Sequence, residues 1–124
     1  MKPICFLALL LSTASSLRAD EAQDLSVKAV GGFRGQSSDA KRDGLTNRLA
    51  EAFRSGQLSR EQMGYLSNAF TSLTETGYSL DSCKQCVRRI EAAIQNSGLS
   101  NNDRLQLYQA VLDVMDSAKA NARK

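Results

Sequence analysis

The stretch Leu58-Ser59-Arg60-Glu61-Gln62-Met63-Gly64-Tyr65-Leu66-Ser67-Asn68-Ala69-Phe70-Thr71-Ser72-Leu73-Thr74-Glu75-Thr76-Gly77 contains a whole helix signal in twenty residues. Ser59 and Gln62 have the spacing of a capping box, in which a hydroxyl accepts from the backbone N–H three residues on and the amide side chain reaches back. Met63, Leu66, Phe70 and Leu73 recur at the intervals that line one face of a helix. Gly77 then supplies the stop.

Moving outward, a shift of 41 residues lays a second copy of this pattern over the first. Leu49 meets Ile90, Ala52 meets Ala93, Phe53 meets Ile94, Leu58-Ser59 meets Leu99-Ser100, Leu66 meets Leu107, Ala69 meets Ala110, Phe70 meets Val111 and Leu73 meets Val114. Four helices follow from the caps and stripes. The first runs from about Ala40 to Ser55 with Leu45, Leu49, Ala52 and Phe53 on one side and Gly56 as terminator. The second lies between Ser59 and Gly77. The third begins near Ser79 or Asp81, puts Cys83, Cys86, Val87, Ile90 and Ile94 along a stripe, and ends at Gly98. The fourth starts at Ser100 and carries Leu105, Leu107, Tyr108, Val111, Leu112, Val114, Met115 and Ala118. That broad stripe predicts the most buried helix of the set. Its basic end, Lys119, Arg123 and Lys124, suits the negative pole of a helix.

The pattern predicts an all-α fold over residues 39–124: a small four-helix bundle or a two-repeat array of helical hairpins, at about 40–77 and 79–122. Neither hairpin can bury its apolar face alone. Residues 20–38 have scattered apolar positions, Leu25, Val27, Val30 and Phe33, before Gly31-Gly32-Phe33-Arg34-Gly35, and read as a flexible lead-in. The glycine-arginine stretch resembles RNA-binding segments in a single copy, and the linker reading is preferred.

At the other end of the chain, Lys2 precedes the apolar run Ile4, Cys5, Phe6, Leu7, Ala8, Leu9, Leu10, Leu11, and Leu17-Arg18-Ala19 precedes Asp20. Positive charge, apolar run and small residue in that order predict a signal peptide over residues 1–19 and export to the periplasm or the cell exterior. The apolar run is too short for a stable membrane anchor, which takes about 20 residues.

Composition narrows the chemistry. Without Lys2 and Arg18 the remainder has 14 basic and 13 acidic side chains, which argues against an electrostatic nucleic-acid partner. The chain has no His, which removes the commonest general base and metal ligand. The turns Arg54–Ser59 and Gln95–Ser100 are similar to calcium-binding helix-loop-helix units only in a glycine near an aliphatic residue, and they lack the oxygen ligands such a loop requires. No catalytic residue, cofactor or metal site is expected.

The remaining motif is Cys83-Lys84-Gln85-Cys86. Residues three apart on a helix lie within the reach of a disulfide, so on a stripe that should face the core the pair is a candidate structural disulfide, favoured in an oxidising compartment, or a buried thiol pair. A dithiol exchange site is the alternative, with the helix start and Lys84 lowering a thiol pKa. With enzymatic constellations absent, the leading expectation is an exported, non-enzymatic module that binds another protein, of adaptor, chaperone-like or inhibitor and immunity type. The rival is a thiol–disulfide protein using Cys83 and Cys86.

Overall fold

The computed structural model describes residues 21–122 and shows an all-α bundle with no strand among them. Residues 21–30 are helical (α1) and run into a 3₁₀ turn at Gly31–Phe33. Then follow α2 (Asp39–Arg54), α3 (Arg60–Thr76), α4 (Leu80–Gln95) and α5 (Asn101–Ala122). The expected leader at 1–19 and the Arg123-Lys124 tail lie outside the described residues.

Local chemistry sets each boundary. Ser59 Oγ accepts from Gln62 N at 3.1 Å while Gln62 Oε1 accepts from Ser59 N at 2.8 Å, so the capping box forms in full. Ser79 caps α4 through Ser82 N at 3.1 Å, and Ser100 caps α5 through Asp103 N at 3.2 Å. Each cap satisfies an N–H that the helix itself leaves unpaired. Gly56 and Gly77, at φ 80° and 91°, take the left-handed backbone that follows α2 and α3, where a Cβ would be strained.

The way the helices pair departs from the sequence-based picture of two hairpins. α3 packs along α4, and α2 along α5, whereas α2 and α3 meet only sparsely. Ser38 N donates to Ser117 Oγ at 2.8 Å and Arg48 Nη1 donates to Gln106 Oε1 at 2.5 Å, so α2 and α5 run antiparallel along their length. The three-residue link 77–79 folds α4 back on α3 in the same sense. Each predicted hairpin is therefore an open V, and the two Vs clasp one another.

Small side chains decide this pairing. Ala69 on α3 and Cys86 and Ala93 on α4 are all buried, and Ser72 joins Ala69 and Cys86 along the seam between the two helices. Side chains this short let two helices approach closely. The turns of the two Vs touch where Gly98 N donates to Gln57 O at 2.9 Å, with Leu58 and Leu99 buried beside them. Gln57 and Gly98 are equivalent positions under the 41-residue shift. Equivalent residues meeting each other is the mark of a twofold relation, here internal to one chain.

Residues 21–37 overturn the expectation of a flexible lead-in. Ala22, Ala29, Val30 and Phe33 are buried in the core. Tyr78 Oη donates to Gln36 Oε1 and Asn121 Nδ2 to Gln36 O at 2.6 Å, which ties the connection to α2 down at both sides. The apolar positions looked scattered because two of the helix's contact residues, Ala22 and Ala29, are alanines and a third, Ser26, is polar. All three are at most 1% exposed. Among the described residues no helix is long and apolar enough to cross a membrane.

Candidate functional site

The twofold relation between the Vs makes their inner walls comparable position by position. Between α4 and α5 the V is open. Its walls are Val87 and Ile90 from α4 and Tyr108, Val111, Leu112 and Met115 from α5, and it holds two adjoining cavities of about 410 and 230 Å³ that share Val87, Glu91 and Leu112. Lys84, Arg88, Glu91, Asp116 and Lys119 form the rim of the larger cavity. Leu112 is 41% exposed on the wall and Leu105, one turn before Tyr108, is 68% exposed. Burial is the main influence raising the Tyr108 phenol above its ordinary pKa, with Glu91 adding and Arg104 opposing.

In the first V the corresponding walls carry Thr46 and Leu49 where α4 has Val87 and Ile90, and Phe70 and Thr74 where α5 has Val111 and Met115. Here the chain covers itself. The Phe33 ring meets Phe70 edge-on at 5.6 Å, and a Cβ added to Gly32 would stand 2.7 Å from Thr74 Oγ1. Glu21 pairs with Arg60 at the opposite end, with Arg60 Nε donating at 2.7 Å, so α1 runs parallel to α3. On the α2 wall Thr46 and Ala50 are buried, whereas their counterparts are half-buried Val87 and exposed Glu91. The groove between α4 and α5 is thus the uncovered twin of the one that α1 and its 3₁₀ turn occupy.

This also corrects the expectation that α5 would be the most buried helix. Its stripe is broad because it serves two surfaces. Leu107, Val111, Val114 and Ala118 face the core, while Leu105, Tyr108 and Leu112 stand to one side of it. Tyr108 and Leu112 belong to the predicted stripe, but only the packing separates the groove wall from the core.

The two cysteines of the sequence motif open on different neighbours. Cys86 is buried on the seam with Ala69 and Leu73 of α3. Burial first, and Cys83 second, push its thiol from an ordinary 9.0 up to about 11, with Arg89 opposing. Cys83, half-buried, sits at the end of the α4–α5 groove near Lys84, Met115 and Lys119. Both are free thiols. The Cys83 N–H donates to Ser79 O at 3.0 Å, so Cys83 is the first residue of α4 whose N–H is paired within the helix turn and the unpaired N–H groups of the helix start precede it.

Of the other residues of interest, Tyr65 is exposed and donates to Glu61 Oε1 at 3.1 Å, and Tyr78 is half-buried against Gln36. Among the described residues no three of His, Cys, Asp and Glu gather where a metal ion would sit. The chain matches no family model, and no curated protein or solved structure is significantly similar to it.

Proposed function

We propose that this chain is an exported, non-enzymatic helical module that binds another protein, and that the groove between α4 and α5 is the surface it uses. The observation that carries the proposal is the asymmetry between twin grooves: one is sealed by α1, while the other leaves Leu112 and a half-buried Val87 facing solvent. An apolar surface of this kind, rimmed by charge, is the usual ground of protein recognition. Export rests on the residues at 1–19. Adaptor, chaperone-like and inhibitor or immunity roles all use such a surface.

Thiol–disulfide exchange through Cys83 and Cys86 is less well supported. Thioredoxin-like exchange pairs sit in a strand–helix–strand setting, and among the described residues Cys83 and Cys86 lie on an all-α bundle with no strand beside them.

The test is affinity capture of the mature protein from its own compartment, with Leu112→Asp and Val87→Asp variants and a Cys83→Ser, Cys86→Ser double variant alongside. Partners retained by the cysteine variant and lost by the groove variants are the expected result. Partners lost only by the cysteine variant would replace this reading with redox capture.

A further inference from the structure

We infer that the occupant of the α4–α5 groove is a single amphipathic helix of another protein, lying parallel to α5 as α1 lies parallel to α3. The inference rests on the reading of the groove as a protein-binding surface and adds the shape and polarity of what binds. Its warrant is the molecule's own solution to the same problem. In the first V the cleft is filled by a helix whose inward residues are Ala22, Ser26, Ala29 and Val30, and by Phe33 just beyond. Their spacing of four, three, one and three residues is the inward stripe of one helix.

The twin cleft has the same frame with different fittings, and these specify the guest. Val111 stands where the first V has Phe70, in the floor of the cavity of about 230 Å³, and that cavity takes an aromatic anchor at the place Phe33 fills in the first V. The guest has no need of a counterpart to Gly32, because flexible Met115 stands where Thr74 crowds that glycine. Charge fixes the direction. Lys84, Arg88 and Lys119 gather at the end of the groove that corresponds to the Phe33 end of the first cleft, against Asp116 there and Glu91 further along. A helix lying parallel to α5 brings its negative C-terminal pole to those cations. Acidic residues in its last turn complement them further.

The probe is a synthetic peptide of residues 20–37 of this chain carrying Lys28→Glu and Arg34→Glu, which gives it the acidic C-terminal end that faces Lys84, Arg88 and Lys119, titrated into the full mature protein and followed by NMR. Saturable shifts at Val87, Leu112 and Met115 are expected. Affinity should fall at least roughly tenfold when the peptide carries Phe33→Ala or the protein carries Leu112→Asp, a surface change whose folding is checked by circular dichroism. Three results would overturn the inference: no saturable shift at those residues, shifts at Phe70 and Thr74 instead, or equal binding by Leu112→Asp. A wild-type dimer in light scattering that Leu112→Asp dissociates would overturn it too, by making a second copy the occupant. If capture from the native compartment depends on Leu112 while the peptide fails to bind, the helix is wrong and the groove as a protein-binding surface still stands.

Discussion

At the scale of single residues, two glycines with opposite surroundings separate close packing from simple helix propensity. Gly64 lies inside α3 with nothing within 4 Å of where a Cβ would be, so Gly64→Ala should stabilise by about 1 kcal/mol. Gly32 meets Thr74, whose Oγ1 is held by a 2.9 Å bond to Thr71 O, so Gly32→Ala should destabilise by about 1–3 kcal/mol. Urea midpoints that move in the same direction for both would mean that α1 does not approach α3 as described. Cys86 gives a pH signature. Its folded thiol keeps its proton to about 11, while in the unfolded chain it ionises near 9.0. The contribution is therefore complete below 9.0 and is lost as pH rises towards 11. Tyr78 and Tyr108 are also raised, so the measurement is the difference between wild type and Cys86→Ser, whose midpoint should fall less steeply across that window. Parallel curves would show that Cys86 is not buried.

At the scale of elements, the sequence disclosed α2 to α5 and hid α1. Ser59 with Gln62, Ser79, Ser100 and the stop glycines are local signals, readable because each acts within one turn of its own helix. α1 is followed by Gly31 and Gly32, but Ala22, Ser26 and Ala29 on its inward face make no stripe of large apolar residues. Its burial depends on a cleft formed by residues twenty to forty positions away, and alanine is too small to register in an apolar stripe. The same reason kept the groove from view: Leu105 and Leu112 read as core until the position of α4 is known. Phe33→Ala is the direct test of α1. A ring buried against Phe70 should cost about 3–5 kcal/mol on removal, read as a loss in thermal or urea stability. A cost near zero would restore the flexible lead-in. Ser26 makes the complementary case. Its Oγ is buried without a hydrogen-bond partner among the described residues, so Ser26→Ala should raise stability by about 1 kcal/mol in the same assay.

At the scale of the whole molecule, the 41-residue echo was legible as a repeat but not as a symmetry. Coincident apolar positions say that two units share a recipe; they do not say whether each unit closes on itself or on the other. That choice is made by Ala69, Cys86 and Ala93, which let α3 and α4 approach, and by the turn-to-turn bond between Gln57 and Gly98. Clasped Vs leave two clefts, and one N-terminal helix covers only one of them. The open groove between α4 and α5 follows from that count. The most direct check is a set of methyl and side-chain NOEs in the protein. Ala52 to Leu107, and Leu73 to Cys86, are expected to be strong, because α2 lies on α5 and α3 on α4. Strong contacts running the length of α2 against α3, with those pairs silent, would contradict the clasp and remove the open groove with it.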